Sequence, residues 1–143
     1  MSTVTATVAT ASARPATARR FPLLRAGAAA GTTAAVVTTL VASGAHAAGV
    51  SFADRTGESI PMFAFAQLTF MCALLGVAVA AGIRRRASHP GRTFTRVAWT
   101  LAVVSCVAPT LIGLGAAAVA VLVTDHLVAA TIVIPWIASR LQR

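Results

Sequence analysis

A chain of 143 residues that is 57% hydrophobic and only 10% charged is not a soluble domain, because soluble domains carry roughly a quarter charged residues. Its net charge of +9 comes with no lysine at all. The arginines sit at the ends of apolar runs instead of forming a face with interleaved aromatics, which excludes nucleic acid and points to anionic lipid headgroups as counterions. With a mean hydropathy of +0.82 and four runs long enough to cross a hydrocarbon core of about 30 Å, the expected fold is all-α, an integral membrane antiparallel four-helix bundle.

Residues 1–20 are rich in Ser, Thr and Ala, hold Pro15 and almost no large apolar side chain, and are expected to form a disordered cytoplasmic tail. Residues 21–143 then make one membrane domain, with spans at about 24–47, 61–83, 96–113 and 116–138. The first run admits two readings. Pro22 suits a helix start, where its missing N–H costs nothing, and Gly27, Gly31 and Ala35 form a small-residue stripe that lets another helix approach closely. Alternatively, Arg19 and Arg20, a moderately apolar core and Ala45-His46-Ala47 look like a twin-arginine export signal with a cleavage site, which would leave an exported protein with three spans. Pro22 departs from the usual signal pattern, and the retained helix is the working expectation.

The polar connection over 48–60 holds Asp54, Arg55 and Glu58 and is expected outside. Pro61 opens the second span, which carries Gly76 and Ala80 toward its inner end. A basic loop follows, with Arg84, Arg85, Arg86, Arg92 and Arg96 as topology anchors against lipid headgroups. Phe94 and Trp99 suit the headgroup boundary at the start of the third span. Gly113 and Gly115 mark a short outer turn, and Trp136, Arg140 and Arg143 end the fourth span. In this layout Arg14, Arg19, Arg20, Arg25, Arg140, Arg143 and the loop arginines share one side while Arg55 alone lies opposite, so the positive-inside bias sets both termini in the cytoplasm of a bacterial cell.

Polar groups at membrane depth carry what functional signal there is. With a rise of 1.5 Å per residue, Gln67 lies about 9 Å and Asp125 about 13 Å below the outer ends of their spans. Thr38, Thr39 and Pro109 reach a similar level, so a polar layer of Gln67, Asp125, His126, Thr38, Thr39 and Pro109 is expected in the outer half. Asp125 has no intramembrane cation to pair with, and a carboxyl kept there as the acid needs an acceptor. Pro109 frees the Ser105 carbonyl, and the Gln67 amide offers donor and acceptor. His126 lies about 100° around the helix from Asp125, so only one of them faces the bundle centre squarely. Such a layer serves either as a proton relay or as an inert polar cluster that fixes helix register. Thr32, Thr33, Thr38 and Thr39 are expected to bond back to their own helix. Cys72 and Cys106 have no redox or zinc spacing, and His46, His89 and His126 are too scattered for a metal. No cofactor is implied.

Several short motifs carry a resemblance. Ala48-Gly49-Val50-Ser51-Phe52, Ile60-Pro61, Phe65-Ala66-Gln67-Leu68-Thr69, Leu74-Leu75-Gly76, Arg84-Arg85-Arg86, Arg92-Thr93-Phe94, His126-Leu127-Val128-Ala129-Ala130 and Ile134-Pro135 together resemble a family of small four-span actinobacterial membrane proteins, a domain of unknown function. The resemblance spans residues 26–141 and implies a fold and a location without an activity. Gln67 and His126 match family-like positions, whereas Asp125 and the acid-free turn at 113–115 depart from them. The expected role is a non-enzymatic helix-bundle protein acting through contacts with itself or a membrane partner, with Gly27 and Gly31 as the candidate surface. The alternative is a small proton-coupled transporter using Asp125, His126 and Gln67. Small multidrug exporters have a similar layout, but they use a Glu in the first span and this span has none.

Overall fold

The computed structural model describes residues 22–111 and 113–142. The tail expected over 1–20, with Arg14, Arg19 and Arg20, lies outside the described residues, as does Arg143. Helix α1 runs Pro22–Ala47, α2 Met62–Arg86, α3 Pro90–Ser105, α4 Ala108–Leu111 and α5 Ala116–Leu141. Because α4 prolongs α3, the described residues present 4 helical segments long and apolar enough to cross a membrane, the third being Pro90–Leu111. The architecture is an all-α bundle.

Two apolar clusters define its ends. Leu23 from the start of α1, Val77 and Ala80 from the later half of α2, Phe94 from the start of α3 and Ile137 and Leu141 from the end of α5 pack together. Starts of odd segments therefore meet ends of even ones, which makes neighbours antiparallel. This is the arginine-bearing end. At the opposite end Ala42, Phe65 and Ala118 close around Phe52 from the connection between α1 and α2. Phe52 is 2% exposed and meets the Phe65 ring edge-on at 5.2 Å, so this polar connection carries an aromatic plug on its inner side.

The tightest contact is that of α1 with α2. In a bilayer lipid tails are as apolar as leucine, so helices associate through close packing and small residues permit it. Ala26, Gly27, Ala30, Gly31, Ala34 and Ala35 form one buried stripe on α1. A Cβ added at Gly27 would collide with Val77, and one at Gly31 would sit 2.8 Å from the Ala73 Cβ. Gly76 lies beside Ile137 with ordinary clearance, and Ala80 is fully buried at the arginine-bearing end.

The basic stretch is mostly helical. Arg84, Arg85 and Arg86 form the last turn of α2, where cations suit the negative end of the helix dipole. Pro90 opens α3, so Arg92 and Arg96 also ride on a helix and the true connection is only residues 87–89. At the other end the loop between α1 and α2 is organised by Asp54. Its Oδ1 accepts the Thr56 hydroxyl at 2.6 Å, the Thr56 amide at 2.8 Å and the Glu58 amide at 3.1 Å, and an antiparallel bridge joins Ala53 to Ser59. The Thr56 hydroxyl bond, followed by the Thr56 amide, holds the Asp54 carboxyl below its ordinary value of 3.8. Arg55 from the same loop lies across the turn at Gly113, whose φ of +76° suits a residue without a side chain.

Candidate functional site

In the third span the buried residues are two near its beginning and Pro109 near its end. On α3 the buried residues are Gly91 and Phe94, and beyond them Leu101, Val103 and Val104 are exposed to the bilayer. The helix then breaks. The Cys106 amide reaches both the Ala102 and the Val103 carbonyls, the Val107 amide turns to Val104, and α4 restarts with Pro109, which has no amide proton to continue the ladder. Between α2, this loosely held α3 and α5 lies a half-open cavity of about 280 Å³, at the lower end of the range for small-molecule sites.

Its lining is apolar apart from a few groups. Asp125, His126, Thr69, Ser105 and Cys72 all border it. Asp125 reaches this position through the periodicity of α5, whose buried stripe includes Ala118, Asp125, Ala130, Ile134, Ile137 and Leu141. The residue is only 5% exposed, and neither carboxyl oxygen has a hydrogen-bond partner among the described residues. An unmet buried acceptor costs about 1–3 kcal/mol, more if it is charged. Its neighbour His126 is half-buried, and its Nδ1–H donates to the Leu122 carbonyl at 2.8 Å. In the neutral ring that leaves Nε2 as an acceptor, so His126 offers Asp125 no donor in that form.

The expected polar layer divides. Asp125 and His126 share the cavity, whereas Gln67 is exposed on the outward side of α2. Here the structure corrects the expectation that Gln67 partners Asp125. The buried face of α2 carries Phe65, Ala73, Val77 and Ala80, and two residues along a helix is a rotation of about 200°, which turns Gln67 away from Phe65. The same geometry puts Thr69, four residues after Phe65, on the inner side. Thr38 is buried on α1 and its hydroxyl lies 3.2 Å from that of Thr69. Since Thr38 also donates to the Ala35 carbonyl at 3.3 Å, its single proton is used, and Thr69 is the donor between them. Thr39 bonds back to Ala35 at 2.7 Å, and Pro109 is buried but does not border the cavity.

Thr69, Ser105 and Cys72 are the cavity residues that depth alone did not bring forward. Their signal in the sequence was the azimuth of α2 and the stop in α3, read together. Gly27, Gly31 and Ala35 are spent inside the bundle, so their face is not the surface available to a second molecule. Arg84, Arg85, Arg86, Arg92 and Arg96 are exposed at one end, far from the cavity's polar groups along the helices. The site thus holds one buried carboxyl without a donor, one imidazole, two hydroxyls and one thiol in an otherwise apolar wall. No second carboxyl borders it to pass a proton onward.

No curated protein and no solved structure matches the chain. A family of unknown function, DUF6069, matches over residues 17–143, so that all four spans fall within the match, and the chain belongs to this family.

Proposed function

We propose that the protein is a non-enzymatic helix-bundle protein of the bacterial cell membrane, with both termini cytoplasmic, that acts through contacts with a second copy or another membrane protein. The uneven cover of its helices carries this reading. In α1, 44% of the most apolar stretch is buried, against 17% in α2 and 11% in the third span. The open flank formed by α2 and α3 replaces the Gly27 and Gly31 face as the contact surface. Retention of α1 belongs to the same reading, since it supplies the tightest packing in the bundle; a mature chain beginning near Ala48 on N-terminal sequencing would overturn it.

Leu68 and Leu75 of α2 are exposed and border the opening on this flank. In a Cys72→Ser, Cys106→Ser background, Leu75→Cys should form a disulfide-linked dimer or a heterologous adduct when oxidised in native membranes. A wholly monomeric product at every oxidant level would count against the reading. A second reading, a small proton-coupled carrier, is favoured by the unpartnered Asp125 carboxyl at the cavity. Flux driven by a pH gradient in proteoliposomes, abolished by Asp125→Asn, would move the assignment to that reading.

A further inference from the structure

We propose that the cavity between α2, α3 and α5 is a binding site for a small lipophilic amine, which enters sideways from the bilayer and places its ammonium against Asp125. Three observations converge on this occupant. Asp125 is 5% exposed, borders the cavity and has no hydrogen-bond donor on either oxygen among the described residues; both oxygens lie just behind the wall, so the side chain turns toward the ligand on binding. Among the residues that border the cavity there is no Arg or Lys, and His126 directs its Nδ1–H to the Leu122 carbonyl, so no permanent cation in the wall meets the carboxyl. The rest of the wall, including Phe65, Leu75, Leu101 and Val133, is apolar and suits an alkyl or aryl body.

The route follows from the packing. Burial on α3 ends after Phe94, and Leu101 and Ser105 border the cavity while exposed to the bilayer. At the loop end, Phe52, Phe65 and Ala118 close the bundle. A ligand that partitions into lipid therefore reaches Asp125 between α2 and α3. Ammonium N–H groups bonded to a carboxylate make short, charge-assisted hydrogen bonds, whereas a carboxylic acid ligand would bring a like charge. This site goes beyond the proposed helix contacts: apolar side chains of a second copy could cover the flank but would bring no donor to Asp125.

The test uses the full chain in nanodiscs of phosphatidylcholine, with empty nanodiscs measuring simple partition. Octylamine should bind saturably at one site per chain, and octanol and octanoate at least tenfold more weakly. Asp125→Asn should weaken octylamine at least tenfold, and Ala102→Phe, which fills the cavity from α3, should remove saturable binding. A measurement on the unaltered protein runs beside the variants: octylamine should slow alkylation of Cys72, which borders the cavity, by at least threefold and leave Cys106, which does not border it, unchanged. Octylamine retention no greater than in empty nanodiscs, equal binding of octanol or octanoate, or equal protection of both cysteines would overturn the proposal.

Discussion

Helices α1 and α3 are both apolar and belong to one bundle, yet α1 is packed along one whole face and α3 is largely bare. Hydrophobicity does not explain the difference, because lipid solvates leucine as well as a neighbouring helix does. Size does. The inward stripe of α1 is alanine and glycine, so α2 and α5 approach until a Cβ at Gly27 would strike Val77. Most of α3 presents Val97, Leu101, Val103 and Val104 outward. Its one glycine is Gly91, which is buried where a Cβ would come 2.7 Å from the Gln142 side chain, and beyond Phe94 the helix is only partly buried, through Ala98, Trp99 and Ala102. In this bundle the closest contact follows the glycine-bearing stripe of α1, and a cavity opens beside the part of α3 that has no glycine.

Substitutions that exchange the characters of the two regions put this to the test. The largest effect is expected from Gly27→Leu, which drives a large side chain into Val77. Overpacking of this kind costs about 3 kcal/mol at the upper end of its usual range, measured as a lowered midpoint of unfolding in mixed micelles of sodium dodecyl sulfate. Should Gly27→Leu unfold like the parent, close approach is not what binds α1. Phe94→Ala removes the side chain that fixes α3 at its base. The cavity left behind is expected to cost about 2 kcal/mol, below the aqueous range because lipid can solvate the exposed surface. Thr38→Val deletes the hydroxyl that accepts from Thr69 and is expected to cost about 1 kcal/mol, as for other hydrogen bonds between membrane helices. Val104→Ala, on the bare part of α3, should stay within about 0.5 kcal/mol. A loss there as large as that at Gly27 would erase the distinction between the two regions.

The smallest effect concerns the loop that joins α1 to α2. Thr56 holds the Asp54 carboxyl below its ordinary 3.8, so the loop gains stability from this group above that value and loses it as pH falls through the lower folded value. Backbone amide exchange at Thr56 and Glu58, corrected for intrinsic rates, should therefore rise as pH falls below 3.8. In Asp54→Asn that rise should disappear.

Much of the fold was legible because single helices in lipid satisfy their own backbone, so apolar length marks each span without reference to the others. The stripe at Gly27 and Gly31 was legible for a related reason: its spacing is a property of one helix. The candidate site was less so. Depth along a helix brought Asp125, His126 and Gln67 to one level, but depth says nothing of azimuth, and the turn between Phe65 and Gln67 separates Gln67 from the others. The cavity itself is a failure of α3 to touch α2, a relation between helices that neither sequence segment states alone. The arginine stretch read as a loop because charge suggests solvent, whereas solvated arginines continue the helices and Pro90 begins one.

The joint at residues 87–89 gives the open flank its geometry. Helices α2 and α3 are tied there by a three-residue link, packed beside it through Phe94, and unlinked at their far ends. From Pro90 to Ser105 the helix is about 22 Å long, so swinging α3 by about 10° about that pivot moves Ser105 by about 4 Å. A change of angle at the arginine-bearing end would thus change the width of the opening beside Asp125, within the slack that the short turn from α4 to α5 allows.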